Sequence, residues 1–176
     1  MFSKLLLKLV EESITPAFAF VVFKVLITIY LGNSLGYNVN IYNVFSLQVS
    51  TEAYSLINSY LLVVFGLFCF LGMMYSVVKS LYFHRSHIHP NMTLSLYNLR
   101  ATFLIQESFH LFSQSLIWLI YLYITLFLSM ILYFFGLTNG YVLLMMSVLT
   151  PISTYFFILD LENEMENESE DEEIYV

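Results

Sequence analysis

Apolar residues run along this chain in long blocks broken by short polar punctuation, and the blocks are too long for strands. No Lys, Arg, Asp or Glu occurs between Ala53 and Val78, nor between Ser108 and Leu159. A helix crossing a hydrocarbon core about 30 Å thick needs roughly 20 mainly apolar residues. The first stretch fits one such helix over 53–78, and the second is long enough for two. Gly136-Leu137-Thr138-Asn139-Gly140 divides the second with strong turn formers, which predicts spans over 115–135 and 141–159 joined as a helical hairpin. An earlier block, 16–31, is shorter and carries Lys24 near its centre. Thr15 before Pro16 gives it a hydroxyl cap followed by a proline at the first helical position. The expected fold class is therefore all-α, an integral membrane bundle of about four transmembrane helices.

Two further segments are patterned differently. Over residues 1–12, Lys4, Lys8, Glu11 and Glu12 share one helical face, with Phe2, Leu5, Leu6, Leu9 and Val10 opposite. That pattern predicts a short amphipathic N-terminal helix lying in the membrane interface. Glu11, Glu12 and Lys24 interrupt the apolar run that a cleaved targeting signal requires, so this segment is read as retained. Further on, Pro90 enforces a turn. In Met92–Gln114 after it, Ser95, Asn98, Thr102, Gln106, His110 and Ser113 recur every three or four places. This is the polar stripe of an interfacial helix before the third span, turned toward water and headgroups or, alternatively, into the bundle. Arg100, Glu107 and Gln114, seven residues apart, form a second seam beside it.

Composition agrees with lipid as the solvent. Of 176 residues 59% are hydrophobic and only 11% charged, and the mean hydropathy is +0.78. A soluble domain carries about a quarter charged residues, and a disordered chain has too little apolar surface to bury, so both classes are excluded. The formal net charge of -7 is the one discordant figure. It resolves into two parts: residues 1–159 hold six basic and four acidic residues, while residues 160–176 hold nine acidic and none basic. The domain organisation expected is a membrane body over 1–159 and a disordered acidic tail over 160–176. Lys4 and Lys8 precede the first span, Lys79, Arg85 and Arg100 lie between the second and third, and the other two connections have no Lys or Arg. The positive-inside bias then places both termini and the 79–114 segment in the cytoplasm. The partners expected are the bilayer and, through the acidic tail, other membrane or cytosolic proteins; no nucleic acid is expected.

Candidate chemistry is sparse. Cys69 is the single cysteine, cannot form an internal disulfide, and reads as a buried thiol. His84, His87 and His89 lie close together in the connection after the second span, and His110 or Glu107 would complete a tetrahedral zinc site with them. Their spacing resembles one histidine box of the membrane di-iron desaturases and hydroxylases, but those enzymes need several boxes and this chain has one. Lys24 is the one ionisable residue inside a span, with Glu107 as its named partner, Glu52 as the second choice, and snorkelling to the headgroups as the simpler role. Pro151, among Ser147, Thr150, Ser153 and Thr154, predicts a kink in the fourth span whose freed carbonyl is met by hydroxyls. No Ser-His-Asp pattern, nucleophile elbow or phosphate-binding glycine loop occurs. The function expected is a non-enzymatic accessory, assembly or docking subunit of a membrane complex. The alternatives are a small transporter or channel using Lys24 and Glu107, and a metal-binding membrane enzyme using His84, His87, His89 and His110.

Overall fold

The computed structural model describes residues 2–46, 48–83, 97 and 108–174. Among the described residues there are four long helices: α1 (Phe2–Ser34), α2 (Thr51–Phe83), α3 (Ser108–Phe134) and α4 (Gly140–Ile174). Each holds a segment long and apolar enough to cross a membrane, at Val10–Ser34, Thr51–Leu81, Phe112–Phe134 and Gly140–Glu162. The chain is an integral multi-pass membrane protein built as a helical bundle. Successive helices run antiparallel, so the loops over 35–50 and 135–139 share one end, called here the loop end. The opposite end carries both termini.

The bundle is organised around α2, which packs against all three other helices, whereas α1 lies against α2 and more lightly against α3. Burial follows the same order: 44% of the α2 span is buried against 11% of the α1 span. Hydrophobic expulsion cannot drive helices together in lipid, so close packing and small residues must hold them. The central cluster joins Leu62, Phe65 and Cys69 of α2 to Leu122 of α3 and to Val142 and Met146 of α4. Nearer the terminal end a second cluster joins Met73 and Val77 to Leu119 and Phe157. Two glycines set the separations. A Cβ on Gly66 would lie 2.5 Å from Met146 Sδ, and one on Gly72 would lie 2.6 Å from the Trp118 ring. Helix α1 joins through edge-to-face aromatic pairs, Phe20 with Phe65 at 5.0 Å and Phe23 with Phe68 at 5.2 Å between centroids.

Both helix ends leading into the loop end close in the same way. Gly36 and Gly136 adopt φ of 85° and 69°, values that a side chain would resist. Tyr37 N–H then reaches the Gly32 carbonyl and Gly36 N–H the Asn33 carbonyl. Leu137 N–H and Gly136 N–H repeat the pattern on Leu132 and Tyr133. These paired bonds satisfy carbonyls that a helix end otherwise leaves orphaned. The glycine-bounded turn expected between the third and fourth spans is thus present.

All four helices are longer than the sequence pattern suggests, α2 by running over Thr51–Phe83 where 53–78 is expected. Helix α1 does not start at Pro16 but runs through it, so the segment expected to lie apart in the interface continues into the span. Proline removes one backbone donor inside a helix, a loss tolerated in membranes where neighbouring groups meet the freed carbonyls. Pro16 is fully buried; the carbonyl it leaves without a helical donor is that of Glu12, and the adjacent Ser13 carbonyl accepts a hydrogen bond from Tyr121 Oη of α3 at 3.1 Å. Helix α3 starts at Ser108, so the end of the striped segment runs unbroken into the third span. Helix α4 passes the expected span end at Leu159 and continues to Ile174. Nothing after Pro151 breaks a helix, since residues 152–174 contain neither Gly nor Pro and glutamate is a good helix former.

Candidate functional site: a polar junction at the loop end

Polar side chains inside a bundle stand out because lipid offers them no hydrogen bonds, so each must find a partner. Antiparallel packing of α1 on α2 sets Lys24 against the second turn of α2. There Lys24 Nζ donates to Asn58 Oδ1 at 3.4 Å and stands 5.5 Å from the centre of the Tyr54 ring, within cation–π range. The Asn58 Nδ2 group donates in turn to the Leu137 carbonyl in the α3–α4 turn, at 3.3 Å. These partners fix the amide orientation: an ammonium only donates and a carbonyl only accepts, so Oδ1 must face Lys24 and Nδ2 must face Leu137.

The next residue along α2 repeats the connection. Ser59 Oγ donates to the Ser55 carbonyl at 2.7 Å and accepts from the Asn139 backbone N–H at 2.9 Å. Lys24, Tyr54, Asn58 and Ser59 therefore tie α1, α2 and the α3–α4 turn at one level. Beside this junction a cavity of about 290 Å³ is lined by Thr51, Glu52, Ser55, Leu56, Gly136 and Asn139. Glu52 is exposed, and the contacts of Lys24 run to Asn58 and Tyr54. The junction holds an ammonium, an amide, hydroxyls and a phenol, a set suited to bracing helices.

A second set of polar contacts joins α1 to α3 nearer the terminal end. Ser113 Oγ donates to Glu12 Oε1 at 3.2 Å, one residue from the Tyr121–Ser13 bond. Ser113, from the polar stripe, is buried, so at this residue the stripe faces the bundle interior. Between the two polar levels a cavity of about 240 Å³ opens among Ala17, Phe20, Phe65, Tyr121, Ile124, Thr125 and Leu128. Its lining is almost wholly apolar.

The hydroxyls around Pro151 turn to their own helix. Ser147 Oγ reaches the Leu144 carbonyl, Ser153 Oγ that of Leu149, and Thr154 Oγ1 that of Thr150. Thr154 also meets Tyr123 Oη of α3 at 3.0 Å. Cys69 is free and fully buried, as expected of a packed thiol. His84, His87, His89, Arg100 and Glu107 lie outside the described residues, and of His110 only the backbone, in the first turn of α3, is described. Among the described residues no three His, Cys, Asp or Glu side chains come together.

Sequence reasoning named Lys24 but did not pair it with Asn58. The available signal was the register of an antiparallel hairpin, which sets the last turns of α1 against the first turns of α2. Pairing Glu12 with Ser113 needed the knowledge that α1 passes straight through Pro16. In comparisons with protein-family models, with curated proteins and with solved structures, nothing matches this chain.

Proposed function

We propose that this protein is a non-enzymatic subunit of a membrane complex that docks partners through the acidic end of α4. The observation that carries the reading is the continuity of α4. At 1.5 Å per residue, its 35 residues extend about 52 Å, well beyond a hydrocarbon core of about 30 Å. Beyond the candidate span, which ends at Glu162, residues 163–174 add about 18 Å of helix. Nine acidic residues lie between Asp160 and Glu173, with no basic residue among them. Such an arm is repelled by anionic headgroups and matches a basic protein surface. The bonds of Lys24, Asn58, Ser59, Ser113 and Tyr121 also support the reading, because they tie one element of the bundle to another.

Lys4, Lys8, Lys79, Arg85 and Arg100 belong to the terminal end or to the connection that starts there, and the loop-end connections carry no Lys or Arg. This distribution supports a cytoplasmic arm with both termini on that side. The test is the native mass of the mildly solubilised protein, wild type against a variant with the glutamates at 164–173 replaced by glutamine. The wild type is expected in an assembly heavier than its own oligomer that includes a protein with a basic face. The neutralised variant is expected to insert equally well but to lose that protein; an unchanged assembly overturns the reading.

A second reading is favoured by the cavity beside the Lys24 junction, namely a small transporter that uses Lys24. It predicts solute flux in liposomes containing the purified protein, abolished by Lys24→Ala. Absence of flux in the wild type, or equal flux in the variant, removes it.

A further inference from the structure

The first loop, between α1 and α2, is folded against the bundle yet presents Ile41, Tyr42 and Phe45 outward. Val39 and Val44 are buried, and the Val39 side chain packs directly over Gly32 in the last turn of α1. Asn33 clamps the same residue on both sides: its Nδ2 donates to the Val39 carbonyl and its Oδ1 accepts from the Val39 N–H, both at 3.0 Å. Asn40 and Asn43 then close the tip. Asn40 Oδ1 accepts from the N–H groups of Tyr42 and Asn43, and Asn43 Oδ1 accepts from that of Asn40. Tyr37 and Ser50 join the two ends through paired bonds, the phenol donating to Ser50 Oγ and accepting from the Ser50 N–H. Between Val39 and Val44, and just beyond, Ile41 is 72% exposed, Tyr42 97% and Phe45 73%. A water-soluble loop has no physical reason to be built so firmly around three apolar side chains directed outward.

We propose that Ile41, Tyr42 and Phe45 form an anchor that inserts into the headgroup layer of the membrane at the loop end. The depth follows from the contacts. Gly32 and Asn33 belong to the membrane-length segment Val10–Ser34, so Val39, docked on them, lies at the membrane boundary. Ile41 is two residues from Val39 and Phe45 is one residue from buried Val44. A residue spans at most about 3.6 Å of extended chain, so Ile41 stays within about 7 Å of that level and Tyr42, three residues from Val39, within about 11 Å. Asn43 Nδ2, donating to the Asn38 carbonyl at 2.9 Å, folds the tip back toward it. The polar layer on each face of a bilayer is itself about 5–7 Å deep, as the difference between its full and hydrocarbon thickness requires. No charged residue occurs between Lys24 and Glu52 to oppose insertion. Tyrosine, with an apolar ring and a polar tip, partitions to this layer. The exposed aromatics at the loop ends of the other helices, Phe134, Phe135 and Tyr141, mark the same level.

The test uses the full chain in nanodiscs of phosphatidylcholine, with single cysteines at Ile41→Cys, Tyr42→Cys or Phe45→Cys in a Cys69→Ala background, each carrying an environment-sensitive fluorophore. Insertion gives a blue-shifted emission that is lost on adding lipid with a headgroup-proximal nitroxide and is little affected by aqueous iodide. A second variant guards against perturbation by the label: Tyr42→Asp with Phe45→Asp is expected to keep the helical signal while the label at Ile41→Cys reverts to a water-like emission. Water-like emission of all three labels in the otherwise unaltered loop, quenched by iodide and not by the nitroxide lipid, overturns the anchor. Shielding seen in native membranes but absent in the nanodiscs overturns it in favour of a covering protein.

Discussion

Gly72 is the position where the smallest change should matter most. A methyl group there would meet the Trp118 ring at 2.6 Å, and a fused ring packed edge-on against Phe68 at 5.4 Å has little room to move. Overpacking a tight core costs about 1–3 kcal/mol, so Gly72→Ala is expected in that range. Gly66→Ala should cost less, because its added methyl would meet the flexible end of Met146. Thermal unfolding in detergent, followed through the emission of Trp118, the single tryptophan, checks the order; equal losses would show that the ring yields. At the loop end, Lys24 and Asn58 should behave as one unit. A double-mutant cycle of Lys24→Met and Asn58→Leu is expected to give a coupling of about 0.6 kcal/mol, with about 1.7 as the ceiling for hydrogen bonds between membrane helices. A coupling of zero would mean that the Lys24–Asn58 contact contributes nothing to stability.

Among the elements, α1 is the least buried and the most dependent on polar contacts. It is held by two edge-on phenylalanine pairs, by the Lys24–Asn58 bond, and by the bonds that Ser113 and Tyr121 make to Glu12 and Ser13. Local opening follows the regions with few buried contacts. Backbone amides of residues 17–30 in α1 are therefore expected to exchange with deuterium faster than those of residues 57–77 in α2. Tyr121→Phe removes the bond nearest Pro16, costs about 1 kcal/mol, and should raise exchange in α1 alone. A uniform rise across the helices would contradict this role for Tyr121.

For the whole molecule, membrane body and acidic arm should be thermodynamically separate. The arm beyond Glu162 extends past the membrane-length segment of α4. Truncation after residue 162 is expected to change bundle unfolding by no more than about 0.5 kcal/mol, the usual range for surface changes away from packed features. A larger loss would reveal that the arm folds back onto the body. The same truncation is expected to release a bound partner, so stability and assembly should respond independently. This separation underlies the discordant net charge, which averages a mildly cationic body with a strongly anionic extension.

Helix number, approximate spans and the turn at Gly136 were legible in the sequence because they depend on local quantities. Runs of apolar residues long enough for the bilayer, and a glycine free to adopt positive φ, need no distant partner. The fate of Pro16 was not legible, since a proline after threonine starts a helix in isolation. It lies inside one here, where Tyr121 from α3 meets the Ser13 carbonyl beside it. The pairing of Lys24 with Asn58 likewise depended on register between helices, 34 residues apart in the chain. The outward set of Ile41, Tyr42 and Phe45 emerged only once Asn33, Asn40 and Asn43 had fixed the loop. The sequence by itself determined which segments belong in lipid, because transfer from water depends on composition and length. Tertiary structure alone decided which polar groups meet, because a hydrogen bond requires two atoms at one place and the chain order does not specify where they converge.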